Sequence, residues 1–380
     1  MRIAADWIAA PGVQAVMAML VEAGHRALLV GGCVRNALLG APVSDIDIAT
    51  DAPPQRVMEL AAAAGLKAVP TGFDHGTVTV IANHVPHEVT TFRRDVETFG
   101  RHATVAFADR VEEDAARRDF TMNALYAEAD GTVVDPLGGL ADLQARRVRF
   151  VGDPDARIRE DYLRILRFFR FHAWYGDADR GLDAEGLAAC AEHSAGLATL
   201  SRERIGAEMR KLLAAPDPAP AVAAMQAGGA LARVLPGAEA RALAPLVHLE
   251  QGLPPDPLRR LAVLGGEEPA DRLRLSRAEA RRLDLLRRLI GSGAGAAEIA
   301  YRHGAETARD ALLARAAVLE QPMPPGWEAA VAKGAAAVFP LSAAELMPAV
   351  SGPALGARLA ELESRWIASG FTLGREELLA

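Results

Sequence analysis

Five stretches of the first 150 residues set β-branched side chains at alternating or near-alternating positions. They are Leu28–Gly32 (LLVGG), Asp45–Ala49 (DIDIA), Gly76–Ile81 (GTVTVI), His87–Phe92 (HEVTTF) and Gly131–Asp135 (GTVVD). Patterning with a period near two predicts short strands. Between them, Pro53–Gly65 reads as a helix, with proline near its start and glycine at its end. From Asp153 onward the alternation stops. Apolar positions then recur at helical spacing in Ala-, Leu- and Arg-rich segments, broken at Pro216–Pro220, Pro236–Gly237, Pro254–Pro257 and Met323–Gly326. The pattern predicts an α+β chain, a small mixed β-sheet domain followed by a long all-helical region. There is no fixed-period repeat and no low-complexity tail.

One helical segment is unusual. Over Glu160–Phe171 (EDYLRILRFFRF), Tyr162, Leu163, Ile165, Leu166, Phe168, Phe169 and Phe171 cover most of the circumference, which predicts burial. The same segment carries Arg164, Arg167 and Arg170. Buried arginines need anionic or acceptor partners, here either internal ones such as Asp161 and Glu160 or a nucleotide.

Composition narrows the class. A length of 380 residues points to two or three domains, and 51% hydrophobic with 24% charged residues is that of a globular protein. No apolar run reaches the roughly 18 residues of a membrane span, and Arg2 and Asp6 stand where a signal peptide would need an apolar core. Cys33 and Cys190 are the only cysteines, so a disulfide framework is excluded and a reducing cytoplasm fits. A net charge of −7 argues against indiscriminate nucleic-acid coating and leaves room for a local basic groove.

The candidate chemistry starts at Leu28–Thr50 (LLVGGCVRNALLGAPVSDIDIAT). In a strand, Asp45 and Asp47 would point to one face and Ile46 and Ile48 into the core. Two such carboxylates repel each other and suit a hard cation, Mg²⁺; a surface turn is the plainer reading. Gly31 and Gly32 would let backbone N–H groups approach phosphate oxygens, and Arg35 would add a cation. Neither G-x-G-x-x-G nor G-K-[ST] is present. Glu88, on a predicted strand of the same sheet, is either an exposed strand glutamate or a third carboxylate. With it the set would suffice for two-metal nucleotidyl transfer, two Mg²⁺ about 4 Å apart holding the attacking hydroxyl and the leaving pyrophosphate. In Arg117–Leu125 (RRDFTMNAL), Arg118, Asp119 and Asn123 read as a ribose and phosphate clamp or as a capped helix start, with Asp119 and Asn123 on one face. His84 and His87 lack the further ligands a zinc site needs and read as loop surface; Cys33 and Cys190 read as core.

Five motifs in order, GGCVRNALLG…DIDIAT, RRDFTMNAL, DPLGGLADL (Asp135–Leu143), EDYLRILRFFRF and RERIGAEMRKLL (Arg202–Leu213), resemble the class II CCA-adding enzymes and their poly(A) polymerase relatives. The resemblance runs from about Leu28 to Leu213. It implies a catalytic head (1–150), a neck reading the nucleotide base (151–213), and a body and tail binding the tRNA acceptor arm and 3′ end (214–380). It implies Asp45 and Asp47 as metal ligands and Glu88 as third carboxylate. Gly32, Arg35, Arg118, Arg167 and Arg170 become nucleotide-binding positions, and Asp161 with Arg164 an amino-acid template for ATP and CTP. Cytosine and adenine both present an exocyclic amine beside a ring-nitrogen acceptor, which an aspartate and an arginine complement; uracil and guanine present the reverse. Asn36 stands where the family commonly has Asp, and a helix-start role is expected of it. Phe92–Thr104 resembles the family's flexible loop and favours full CCA addition over CC addition. Val69–Ile81 lacks the basic strand of poly(A) polymerases. The basic clusters Arg202, Arg204, Arg210 and Lys211, then Arg272 to Arg288, are the expected tRNA contacts. CC-adding, A-adding and poly(A)-adding relatives and a non-catalytic RNA-binding protein are the alternatives; no membrane association and no protein partner are expected.

Overall fold

The sheet is built from seven strands in the order β3-β4-β5-β2-β1-β8-β9. In chain order β1 is Ala27–Val30, β2 Asp47–Thr50, β3 Lys67–Gly72, β4 Thr77–Ala82, β5 Val85–Thr91, β6 Arg93–Phe99, β7 His102–Phe107, β8 Tyr126–Ala127 and β9 Val133–Val134. Among the described residues only β2 and β5 pair in parallel, and that pairing sets Asp47 opposite Glu88. The remaining ladders are antiparallel, with Val30 of β1 opposite Asp47. β6 and β7 form a separate two-stranded ribbon. The structure is a computed structural model that describes residues 1–99, 102–347 and 352–380.

Period-2 burial explains the central strands. Val78, Val80 and Ala82 of β4 and His87, Val89 and Thr91 of β5 are buried, which turns Glu88 to the opposite face. The helix Pro11–Glu22 covers the buried side with Val13, Val16, Met17 and Leu20. At Gly12 it comes so close that a Cβ would lie 3.0 Å from the Ala82 carbonyl oxygen and 3.1 Å from His87 Nε2. The predicted helix at 53–65 is present as Pro54–Ala63. Two strand features were not predicted from the apolar pattern. β3 carries no apolar alternation because it is a largely exposed edge strand containing Pro70. Phe92–Thr104, expected as a flexible connection, is mostly the β6–β7 ribbon; part of that segment, residues 100–101, lies outside the described residues.

Contacts divide the chain into Met1–Val234 and Leu235–Ala380. In the first unit the sheet is joined to helices by an aromatic core. Phe120 packs 5.0 Å from both Phe150 and Phe171, and Phe150 stacks on Phe168 at 5.4 Å. In the second unit, helices are joined by buried charge. Arg259 and Arg260 are each 2% exposed. Glu250 accepts from both, at 2.7 and 2.9 Å, and Asp310 accepts from Arg259 at 2.8 Å. Arg282, one of the expected tRNA contacts, pairs with Asp256 and Asp310. Arg277, Arg281 and Arg288 are exposed. A second aromatic cluster, Tyr301, Trp366 and Phe371, completes this unit. No helix is long and apolar enough to cross a membrane among the described residues.

Candidate active site

The turn after β1 places the glycines. Gly31 adopts φ 71° and donates its N–H to the Leu125 carbonyl at 3.1 Å; a Cβ there would meet Arg118 Nη1 at 3.2 Å. Both the left-handed backbone and the neighbouring guanidinium call for glycine. Gly32 then opens the helix Gly32–Leu38. Arg35 is buried on that helix. It donates to Asn123 Oδ1 at 2.5 Å and to the Tyr175 hydroxyl at 2.9 Å, with its guanidinium 4.1 Å from the Tyr175 ring centre. Burial pulls its pKa down. Asn36 is mid-helix, which corrects the helix-start expectation. Its Oδ1 accepts from Arg35, and its Nδ2 donates to the Pro42 carbonyl at 2.8 Å, tying down the loop that leads to Asp45.

Asp47 opens β2, whereas Asp45 precedes the strand and is exposed. Ile48 is buried and Ile46 only half-buried, so the expected two-residue core alternation starts one step late. Asp45, Asp47 and Glu88 nonetheless line one cavity of about 690 Å³. Burial raises the Asp47 pKa, the negative charges of Glu88 and Asp45 raise it further, and Arg118 opposes them. A partly buried carboxylate repelled by two others, all hard oxygen donors, fits a divalent cation. His87, read from the sequence as loop surface, is buried in the sheet face behind, with neither ring nitrogen hydrogen-bonded. Among the described residues, a tighter group with three ligand atoms within 4.8 Å of one another is Asp155, Glu192 and His193.

In place of the expected helix start, Arg118 and Asp119 lie in a bend that leads into a 3₁₀ turn, Thr121–Asn123. Asp114 accepts from Arg118 Nη2 at 3.0 Å and from the Tyr126 hydroxyl at 2.8 Å. Burial lowers the Arg118 pKa, but Tyr126 and Asp114 outweigh it and the net shift is upward. Asp119 does meet Asn123, accepting from its Nδ2 at 2.8 Å, and also accepts from Arg167 Nε at 2.7 Å. Burial would raise Asp119, yet Arg167 and Asn123 hold it below the usual carboxylate range. The result is a continuous polar chain, Arg35–Asn123–Asp119–Arg167. DPLGGLADL braces it from behind. Asp135 accepts from the N–H groups of Gly139 and Leu140, and Asp142 accepts from Thr121 Oγ1 at 2.7 Å.

The apolar arginine helix is Leu163–Tyr175, buried as predicted through Leu163, Ile165, Leu166, Phe168, Phe169 and Phe171. It does not include Asp161. That residue is extended (φ −154°, ψ 106°) between the helix Pro154–Glu160 and this one, and its carboxylate accepts from the Leu163 N–H at 3.1 Å. An aspartate competing for helix N–H groups ends one helix and starts the next. All three arginines have internal partners, Arg164 with Glu160, Arg167 with Asp119 and Arg170 with Glu208. Asp161 pairs with Arg204 at 2.6 Å rather than with Arg164.

A second cavity, of about 420 Å³, gathers Gly32, Arg35, Asp45, Asp47 and Arg170 with Trp174, Tyr175 and Lys211. Asp161 opens on a third, of about 380 Å³, with Glu160, Tyr162 and Arg204. The sequence reading missed Trp174, Tyr175 and Glu208, and named Lys211 only as a tRNA contact, not as part of this cavity. One signal was available for Trp174, which follows Arg170 by four residues and so shares its helix face.

Two family descriptions match the chain, the poly A polymerase head domain over residues 27–149 and the probable RNA and SrmB-binding site of polymerase A over residues 181–241. The mitochondrial CCA tRNA nucleotidyltransferase 1 of Homo sapiens is 42% identical over 203 residues, 53% of this chain and 47% of that protein. A CCA-adding enzyme of Geobacillus thermodenitrificans is 42% identical over 224 residues, 58% of this chain and 54% of that protein. The chain spans about half the length of the curated relatives it matches. The crystal structure of the Bacillus stearothermophilus CCA-adding enzyme in complex with CTP superposes with a TM-score of 0.68 and 28% identity, covering 94% of this chain and 92% of that one.

Proposed function

We propose that the chain belongs to the tRNA nucleotidyltransferase and poly(A) polymerase family and that it adds C, C and A to the 3′ end of tRNA from CTP and ATP, releasing pyrophosphate. The observation that carries the reading is the parallel pairing of Asp47 with Glu88, with Asp45 on the same cavity behind a Gly-Gly turn. Asp45 and Asp47 would hold Mg²⁺, with Glu88 as the third carboxylate. When bound, the metal would neutralise triphosphate charge and make the primer hydroxyl a better nucleophile.

The protein's own part is placement. Gly32 leaves the backbone open to phosphate oxygens, whereas the Gly31 N–H, expected to do the same, is already taken by the Leu125 carbonyl; Arg170 adds positive charge on the cavity that Gly32 lines. Arg35, Arg118, Asp119 and Asn123 hold the turn rigid and tie it to the helix through Arg167, so the triphosphate would meet a preset surface. Asp161 and Arg164 would read the base, each exchanging its present partner, Arg204 or Glu160, for cytosine or adenine. A mispaired uracil would cost about 1–3 kcal/mol per unsatisfied group. We assign the head to 1–150, the neck to 151–213, and tRNA binding to 214–380, where Arg277, Arg281 and Arg288 are exposed. The free cysteines Cys33 and Cys190, both buried, support a cytoplasmic location.

The test offers purified protein tRNAs lacking the terminal trinucleotide, ending in C, or ending in CC, with each nucleotide alone and in mixture. Addition that stops after two C residues, or runs on into poly(A), overturns the CCA reading. Asp161→Ala should lose rejection of UTP; unchanged rejection removes Asp161 from the template.

A further inference from the structure

We propose that Trp174 is the platform on which the 3′-terminal base of the RNA primer stacks. Trp174 lies one turn beyond Arg170 on the helix Leu163–Tyr175, and it is 42% exposed. The other aromatic side chains of that helix pack against rings, Phe168 on Phe169 and Phe171 on Tyr175, whereas no ring packs on Trp174 among the described residues. Its orientation is nevertheless fixed, because Nε1 donates to the Lys211 carbonyl at 2.8 Å. An exposed, anchored indole has an open π-face, and bases of any identity stack on such a face.

Position decides which base. Trp174 lines the same cavity as Asp45 and Asp47, the carboxylates to which a primer's 3′-hydroxyl must come. Asp161, the residue assigned to the incoming base, opens on a different cavity. Arg170 and Lys211 stand beside the indole and supply positive charge for the primer's last phosphates. Stacking tolerates both C and unfinished ends, which suits a primer whose terminal base changes from one addition to the next. This inference rests on the nucleotidyl transfer proposed above.

Steady-state kinetics of Trp174→Ala should show the KM for a CC-ended tRNA minihelix raised about 10- to 100-fold, with the KM values for CTP and ATP unchanged. Trp174→Phe should restore the RNA KM to within about threefold, since a phenyl ring still stacks. A rise confined to the KM of CTP or ATP reassigns the platform to the incoming nucleotide and overturns the proposal, as do an unchanged RNA KM and a failure of phenylalanine to rescue. A binding arm without nucleotide separates this from failure of the catalytic reading. Minihelix ending in CC should quench the wild-type tryptophan fluorescence more than that of Trp174→Phe, and minihelix without its single-stranded end should quench both equally. Equal quenching of the two proteins by the CC-ended RNA overturns the stacking assignment even if extension occurs. A wild type that quenches but does not extend RNA counts against the transfer activity and leaves the platform standing.

Discussion

Replacing Asp119 by alanine should cut the polar chain that fixes the Gly-Gly turn to the arginine helix. Asp119 is nearly buried, and its carboxylate holds Arg167 together with the Asn123 amide and the Phe120 N–H. Losing one partner of a buried ion pair costs about 3–5 kcal/mol; with the Arg167 side chain 33% exposed, water recovers part of this and the low end, about 3 kcal/mol, applies. Two further hydrogen bonds add about 0.5 kcal/mol each after water fills in, for a total of about 4 kcal/mol. With an m-value of about 3 kcal/mol/M for a unit of this size, the urea midpoint of that unit should fall by about 1.3 M. Circular dichroism through a urea titration at pH 7 reads this directly. Asp119→Asn, which keeps an acceptor for Asn123 but no charge for Arg167, should fall between the two. The folded-state pKa of Asp119 is lowered, so its stabilisation is present above the unfolded value near 4 and is lost as pH falls through the folded one. The gap between wild type and Asp119→Ala should therefore hold from pH 7 to about pH 4 and narrow below. A midpoint shift smaller than about 0.3 M at pH 7, or a gap that widens in acid, would refute the reasoning.

Three further outcomes are expected. Asp47→Asn should abolish nucleotide incorporation by at least about 10³-fold. It should leave the thermal midpoint unchanged or higher, because it removes repulsion from Glu88 and Asp45; a clear drop in calorimetry would contradict that account. Glu208→Met leaves the largely buried Arg170 without its charge partner and should cost about 3 kcal/mol, most of it recovered in the Glu208→Met, Arg170→Met double variant; additive losses in the double-mutant cycle would exclude the pair as the cause. His172 is buried and its pKa is depressed by burial, so the neutral ring's contribution is full above about pH 6.5 and is lost as pH falls toward the folded value. His172→Gln should flatten the stability profile between pH 7 and 5, and a profile as steep as wild type would locate the acid sensitivity elsewhere.

The parts of this molecule that were legible in the sequence are those where side chains alternate between core and water. β1, β2, β4 and β5 announced themselves through buried Val, Ile and Leu, and the arginine helix through its all-round apolar surface. β3 and the β6–β7 ribbon did not, because an exposed edge strand and a charged ribbon impose no apolar period. The carboxylates and glycines of the site were legible because their chemistry is carried by residue type. What stayed hidden was pairing at a distance. Nothing local in Arg167 points to Asp119, 48 residues earlier, or in Arg170 to Glu208. The break at Asp161 was missed because the surrounding hydrophobic spacing continues through it; only the extended backbone there separates the two helices. Trp174 lay beyond the matched motif, on a face already marked by Arg170.

The parallel pairing of β2 with β5 also constrains how the molecule comes into being. Asp47 and Glu88 are 41 residues apart in the chain, so the acidic site exists only once that long segment has been closed into a crossover. Closing it costs about 3 kcal/mol of chain entropy beyond a constant, with no hydrogen bond gained until the strands meet in register. A nascent chain that has emerged only as far as β4 therefore has both aspartates but no third carboxylate beside them. The metal site proposed for these carboxylates would thus form in one step with the pairing of β2 and β5 at the sheet's centre. An unfinished head domain would then present ordinary surface acids to the ions around it, and recovery of metal binding during refolding would serve as a clock for the docking of β5 on β2.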